Sequence, residues 1–139
     1  MRRLKYLLPM IVLLAVLIAT HAGAAEQEKR FVAKVDSDGI QRADILGGSY
    51  FFDPNYVVVK VNIPVEFRIK KEAGYTPHNF ILQAPEAGID ISQDLGKDPT
   101  IIRFTPTKPG TYEFYCGKKL LFFKSHKEKG MVGTLEVTE

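Results

Sequence analysis

The chain of 139 residues contains one cysteine, Cys116. A single cysteine cannot form a disulfide within the chain, so the fold lacks the cross-link that many small exported domains use. The unpaired thiol then needs another role, such as a bond to a partner chain, reactivity as a free thiol, or binding of a metal. Repeats, linkers and low-complexity segments are also absent from the sequence. A chain of this length suffices for one domain with a single core.

The first 24 residues, "MRRLKYLLPMIVLLAVLIATHAGA", have the layout of a leader. A basic start precedes an apolar run from Leu7 to Ala19, and small residues precede a cleavage point after Ala24 or Ala25. This order predicts a signal peptide over 1–24 and a mature domain over 25–139, located in the periplasm or otherwise exported. A retained N-terminal membrane anchor is the alternative, because the apolar run approaches the length that spans a bilayer. The junction has no cysteine, so a lipid-anchored form is not indicated.

The predicted mature domain has no excess of either charge. All 16 acidic residues follow residue 24, whereas three of the 19 basic residues lie in the leader, which leaves sixteen of each sign. A nucleic-acid partner is therefore not predicted. Lysines nevertheless cluster near the C-terminus, with only Glu128 among them. The clustered residues are Lys118, Lys119, Lys124, Lys127 and Lys129.

The mature sequence has no long helical period and is typical of β-structure. In one segment Val65, Phe67 and Ile69 alternate with charged residues, which is the pattern of a half-buried strand. Seven or eight short strands separated by turn signals predict an all-β fold, a Greek-key β-sandwich or barrel with antiparallel pairing. The predicted strands are "FVAKV" (31–35), 56–61, 65–70, "HNFILQ" (78–83), "TIIRFTP" (100–106), "GTYEFYC" (110–116) and "VGTLEV" (132–137).

Two segments are harder to interpret. The stretch "APEAGIDISQDLGKDP" (84–99) is expected to be a loop, because acidic residues, glycine and proline interrupt it. The stretch "SDGIQRADILGGSYFFDPN" (37–55) is less clear and is expected to carry one strand, and "ILGGSYFF" within it is interpreted as a bulge or turn rather than as a phosphate-binding loop.

The mature domain keeps only four side chains of the soft and borderline ligand types: Cys116, His78, His126 and Met131. A thiolate and two imidazoles in a trigonal plane, with a weak axial thioether, form the blue-copper electron-transfer site. His78 leads into one predicted strand, Cys116 ends another, and the other two residues precede the last strand. Ligands at adjacent strand ends can converge at one pole of a sandwich. Taken singly, each residue also has an ordinary interpretation: a buried thiol, a turn histidine, an exposed histidine and a core methionine.

Three segments resemble the cupredoxin family, most closely its plastocyanin-like branch. "TPHNF" is similar to the segment of the first histidine, "PGTYEFYC" to the strand that ends in the copper cysteine, and "HKEKGMVGTLEV" to the lead into the final strand. The resemblance covers about residues 55–139. It implies one copper ion that cycles between Cu(I) and Cu(II), with His78, Cys116 and His126 as equatorial ligands and Met131 as the axial ligand. It also implies that Asn79 hydrogen-bonds across the site.

The sequence departs from this family in one loop. Nine residues, "GKKLLFFKS", separate Cys116 from His126, whereas the family pattern has two to four. A longer loop is expected to constrain His126 less, which leaves three alternatives: a distorted site, a site open to solvent, or a site formed when the loop packs down.

The run "LLFF" (120–123) within this loop has two interpretations. It packs in the core or forms a helical turn with one buried side, or it forms an exposed apolar patch where redox partners dock. In the second case the flanking lysines steer an acidic partner. Such a basic and apolar loop could also contact an anionic membrane surface.

The functional prediction is an exported, monomeric, mononuclear copper protein that carries single electrons between redox partner proteins such as cytochromes or oxidases. A copper-handling protein (chaperone, scavenger or resistance factor) with the same ligands is the alternative, and a metal-free interaction domain is a third class. Enzymatic activity is not predicted. The chain has no cysteine pair for a dinuclear copper centre and too few histidines for a multicopper cluster. A Cys-His nucleophile pair leaves the methionine without a role.

Overall fold

The computed structural model describes residues 27–139, so the predicted signal peptide over 1–24 lies outside the described residues. The described chain forms ten strands and two single 3₁₀ turns, Pro85–Ala87 and Lys127–Lys129. None of its helical segments has the length and hydropathy of a membrane span. The strands are β1 (Arg30–Val32), β2 (Gln41–Gly47), β3 (Phe52–Asp53), β4 (Tyr56–Lys60), β5 (Val65–Lys71), β6 (His78–Ala84), β7 (Ile89–Leu95), β8 (Thr100–Phe104), β9 (Gly110–Tyr115) and β10 (Val132–Thr138).

The ten strands form two sheets. One sheet has six strands in the order β1-β4-β10-β9-β6-β7, and the other has four in the order β3-β2-β5-β8. The prediction of an all-β sandwich is therefore confirmed. The expected antiparallel pairing is wrong for three neighbours, because β1–β4, β4–β10 and β2–β5 pair in parallel. Two parallel strands of one sheet need a crossover connection between them. Here the chain between each parallel pair passes through a strand of the other sheet before it returns.

The core lies between the two sheets and is centred on aromatic rings. In β5 the residues Val65, Phe67 and Ile69 are buried, as the alternating pattern predicts. The ring of Phe114 on β9 lies 4.9 Å from that of Phe80 on β6 in a tilted arrangement. Aromatic pairs at this separation add to the free energy of burial. This packing fixes β6 and β9 beside each other, and the start of β6 and the end of β9 lie near the site described below.

Two predictions about strands need correction. The segment expected to be a loop contains β7, in which Ile89, Ile91 and Leu95 are buried. β7 pairs only with β6 at the edge of its sheet. Its exposed face therefore carries polar residues that weaken the sequence pattern. The unclear segment contains two strands, β2 and β3, joined by a turn in which Gly48 N–H donates to the carbonyl of Phe51.

Candidate metal centre

Three adjacent strands bring the predicted ligands to one edge of the six-stranded sheet. His78 is the first residue of β6, Cys116 directly follows β9, and Met131 directly precedes β10. β6 and β9 run antiparallel, as do β9 and β10. The start of β6 therefore meets the end of β9 and the start of β10 at the same pole. His126 lies just before the 3₁₀ turn that leads into β10.

The side chains of His78, Cys116 and His126 converge at this pole. The two histidine Nδ1 atoms lie 3.1 Å apart, and the cysteine Sγ lies 3.8 Å from Nδ1 of His78 and 3.4 Å from Nδ1 of His126. The circle that passes through these three atoms has a radius of about 2.0 Å, which is the product of the three sides divided by four times the area of the triangle. The centre of this circle lies inside the triangle.

This radius tests whether the donor set fits a metal ion. Bonds from zinc, a comparable first-row ion, to imidazole nitrogen are about 2.0–2.1 Å, and bonds to thiolate sulfur are about 2.3 Å. One ion therefore fits near the centre of the triangle. Two imidazoles and a thiolate in a plane are the donors of a blue-copper site, so the residues suit a single copper ion.

The three donors are enclosed by the fold. Cys116 is 0% exposed, His78 is 5% exposed and His126 is 6% exposed. Burial lowers the pKa of His78 to about 4, with the nearby His126 and Lys71 adding to the effect. Burial also lowers the pKa of His126, and the charge of Lys129 contributes in the same direction. Both imidazoles are consequently neutral at neutral pH, which is the state that binds a metal.

The long loop is closed at its base by hydrogen bonds. The N–H of His126 donates to the carbonyl of Lys118 at 2.9 Å, while the carbonyl of His126 accepts from Lys129 and Met131. The extra residues therefore form a protrusion beyond a closed neck between Lys118 and His126. This neck holds the backbone of His126 near Cys116.

A reciprocal pair of side-chain contacts also holds the segment around His126. The carboxylate of Glu128 accepts from the N–H of Ser125 at 2.7 Å and from its hydroxyl at 2.8 Å. The hydroxyl of Ser125 in turn accepts from the N–H of Glu128 at 3.2 Å. This reciprocal pairing is that of a capping box, and it lies directly before the 3₁₀ turn, whose N-cap residue is His126. The hydrogen bonds with Ser125 lower the pKa of the Glu128 carboxyl, so the box forms with the ionised group.

Asn79 links two segments that carry ligands, which confirms the predicted bond across the site. Its Oδ1 accepts from the N–H of Gly117 at 2.8 Å, and its own N–H points to the sulfur of Cys116 at 3.4 Å. One residue next to His78 therefore contacts both the cysteine and the residue that follows it. Such bonds orient ligands and set the electron density on the sulfur.

Met131 is joined to the other residues through its backbone. Its N–H donates to the backbone carbonyl of His126 at 2.9 Å, and its carbonyl accepts from the N–H of Cys116 at 3.0 Å. Its side chain is fully buried. A Cβ placed on Gly47 would lie 3.3 Å from the methionine Cε, so a glycine on β2 leaves room for this side chain. The structure thus brings three predicted ligands together as side chains, and the axial role of Met131 stays a prediction.

Sequence reasoning missed Tyr50, which packs on the site. Its ring meets that of His126 edge-on, with the centroids 5.0 Å apart, and Nζ of Lys129 lies 4.4 Å above the tyrosine ring and 3.1 Å from its hydroxyl. Tyr50 has a φ of 68°, which is uncommon for a residue other than glycine. The preceding glycines predict a turn here, but no local pattern indicates that its aromatic ring reaches a histidine 76 residues away.

The structure excludes one of the two interpretations of the run 120–123, packing in the core. All four side chains are exposed, so they do not pack in the core. The adjacent cleft, of about 510 Å³, is lined by residues that include His126, Tyr50 and Tyr75. The apolar run therefore lies on the surface at the same pole as the candidate metal centre.

Comparisons with known proteins agree with this geometry. A family model described as a cupredoxin-like domain matches residues 9–132. Chloroplastic plastocyanin of Hordeum vulgare is 36% identical over 98 residues, which cover 66% of this chain and 57% of that protein. Plastocyanin of Dryopteris crassirhizoma is 29% identical over 102 residues, which cover 65% of this chain and 90% of that protein. The chain thus spans little more than half of the Hordeum relative.

Among solved structures, the chain resembles the metal binding domain of the Cu(I) exporting P-type ATPase CopA of Streptococcus pneumoniae D39. The TM-score is 0.61 at 23% identity, and the alignment covers 81% of this chain and 99% of that domain. At this identity the likeness shows the fold alone.

Proposed function

Because the chain belongs to the cupredoxin-like family, in its plastocyanin-like branch, we propose that it is an exported copper protein that carries single electrons between redox partner proteins. The observation that carries the proposal is the triangle formed by His78, Cys116 and His126, whose centre lies about 2.0 Å from each donor atom. Copper bound there would supply a one-electron change between Cu(II) and Cu(I).

The surrounding residues favour a carrier over a copper-handling protein. The donors are buried and are held by backbone bonds at the neck and by Asn79, so they are expected to move little when the charge of the site changes. A rigid site of this kind suits electron transfer, because little rearrangement accompanies the reaction. A site that passes its metal to a partner needs ligands that a partner can reach.

His126 supplies the expected route for the electron. It is the proposed ligand nearest the surface cleft, and the lysines around it favour an approaching acidic surface. Redox partners such as cytochromes or oxidases are therefore expected to approach at this pole. The identity of these partners is part of this proposal. Export of the protein after cleavage of the leader is also part of it.

The proposal is tested by the visible spectrum and the voltammetry of the copper-loaded protein. We expect an intense thiolate-to-copper absorption band and reversible one-electron reduction. A colourless protein that binds only Cu(I) would contradict the carrier and support copper handling.

The ligand assignment is tested with Cys116→Ser, which should abolish the band and weaken copper binding at least about tenfold, by loss of the thiolate. A matched control combines Cys116→Ser with Ser37→Cys, which restores one thiol in an exposed turn away from the site. It should behave like the single variant. Unchanged copper binding in Cys116→Ser would overturn the assignment, and an unchanged spectrum in His126→Ala would remove that ligand.

A further inference from the structure

The exposed run Leu120–Phe123, called here the loop tip, forms one tight turn. The N–H of Phe123 donates to the carbonyl of Leu120 at 3.0 Å, and the rings of Phe122 and Phe123 lie in a tilted arrangement with centroids 4.8 Å apart. The four side chains are 65%, 75%, 83% and 51% exposed, in chain order. Four consecutive large apolar side chains on a protruding turn are costly in water, and exposed apolar patches mark contact sites.

The backbone of the loop tip adds a second observation. Leu121 has a φ of 47°, a conformation that glycine adopts without strain and a bulky residue does not. The loop tip therefore has a leucine at a position where the backbone conformation favours glycine. Tyr75, which is also fully exposed, lines the cleft beside Leu120 and Phe123. Five of the nine large apolar side chains that are exposed within residues 27–139 therefore lie at this pole.

Lysines surround the base of the loop tip. Lys119 and Lys124 flank it directly, and Lys118, Lys127 and Lys129 lie close by along the chain. Two of these five form exposed ion pairs, Lys118 with Asp94 and Lys127 with Glu113. Exposed pairs of this kind are weak, so they leave the lysines available to another negative surface. The result is an apolar tip with a basic collar.

We propose that the loop tip inserts into the interfacial layer of an anionic lipid bilayer, with the lysine collar at the headgroups. Leucine and phenylalanine on one side and lysines on the other are the composition of an interfacial membrane contact. The core of a protein interface, in contrast, is depleted in charged residues and is closely packed against a complementary surface, whereas here lysines directly adjoin the apolar side chains. A fluid bilayer accommodates side chains that project in several directions from a turn, whereas a flat protein surface covers only some of them.

The proposed contact does not depend on copper. The hydrogen bond between Lys118 and His126 sets the base of the loop tip, so insertion would hold the candidate metal centre within a few residues of the membrane surface. Redox partners embedded in the same membrane would then meet the site in a fixed orientation. The metal-free protein should bind the membrane as the copper-loaded protein does.

The chain has no tryptophan, so Phe122→Trp introduces a unique fluorescent probe into the loop tip. The matched control is Ile101→Trp, at an exposed apolar position on β8. The probes are vesicles of phosphatidylcholine with or without phosphatidylglycerol, at low salt. We expect a blue shift at position 122 with the anionic vesicles, and quenching by brominated lipids. The tryptophan at position 101 should show neither the blue shift nor the quenching. The comparison between the two tryptophan positions is valid whether or not the leader is retained.

A second experiment measures co-sedimentation of the protein, purified from cells that express the full sequence, with the same vesicles. Leu121→Ser with Phe122→Ser should weaken binding at least about tenfold. Each of Lys119→Ser and Lys124→Ser should weaken it about fivefold. Lys34→Ser is the control and should have no effect. These side chains are exposed, so the fold should persist, and circular dichroism checks this.

Equal behaviour of the two tryptophan positions would overturn the proposal. Equal sedimentation of the loop-tip variants and the unmodified chain would do the same. Binding of the loop tip to an acidic protein, without binding to anionic vesicles, would assign the surface to a protein partner instead.

Discussion

His78 and His126 reach one point from positions 48 residues apart, and each does so as a neutral side chain. Burial is the main cause of the lowered pKa in both. The two Nδ1 atoms lie 3.1 Å apart, so in the metal-free protein a single proton can be shared between them. The fold thus keeps two imidazoles ready for a metal at neutral pH, at a cost in stability when the solution becomes acidic.

The stability of the metal-free protein should fall as the pH decreases from about 6.5 to about 4. In this range the unfolded chain binds protons at imidazoles with ordinary pKa values near 6.5, whereas folded His78 does not until its pKa of about 4. The free energy of unfolding should therefore drop by about 2 kcal/mol across this range. Urea unfolding at several pH values measures it.

The variant His78→Gln is the control for this pH dependence. It should have a shallower slope between pH 6.5 and 5, where carboxyl groups of ordinary pKa remain ionised. The same slope in the variant and in the unmodified protein would show that other groups carry the effect.

Residue types alone identified the cysteine and both histidines that converge, because so few soft and borderline ligands remain after the predicted leader. They could not identify Tyr50, since its contact with His126 depends on a turn between β2 and β3 and on the cation of Lys129. Side-chain contacts between distant segments leave no local pattern. The same limit applies to the axial role of Met131, for which the sequence gives only spacing.

At the scale of elements, strands with a clear alternation were predicted within one or two residues of their observed ends. β5 is the example, because one of its faces is buried and the other is charged. β7 was missed because an edge strand exposes more of its length, so Ser92, Gln93 and Asp94 resemble a loop. The ends of elements are set by caps and pairing, which sequence patterns specify only partly.

The ligand loop behaves as two parts, a closed neck and an exposed tip. Its length predicted a loose His126, yet the hydrogen bond to Lys118 and the capping box between Ser125 and Glu128 fix the neck. Loop length is therefore a poor guide to the constraint on His126, and the position of the hydrogen bonds within the loop is a better one.

Glu128→Gln should loosen the neck. The amide retains an acceptor but loses the charge that strengthens both bonds to Ser125, so the capping box should weaken. We expect faster amide hydrogen exchange at His126 and Met131. Glu86→Gln is the matched control, because Glu86 is the acidic residue of the first turn in the other 3₁₀ segment, as Glu128 is in this one. Equal exchange in the two variants would show that the box does not hold the neck.

At the scale of the whole molecule, the sandwich gathers its chemistry at one pole. The core aromatic rings fix β6 beside β9. The starts of β6 and β10 and the end of β9 meet at the candidate metal centre, and the loop tip projects from the same pole. The sequence predicted the sandwich because alternation and turn signals recur along the chain. It did not predict the parallel pairs, because pairing partners depend on how connections cross between the sheets.

The most direct test of the central claim is X-ray absorption at the copper edge, measured in both oxidation states. We expect two nitrogen neighbours at about 2.0 Å and one sulfur at about 2.3 Å. These distances should change by no more than about 0.1 Å on reduction, because the fold already holds the three donors around one point. Loss of a nitrogen neighbour on reduction, or a copper without sulfur, would contradict the account.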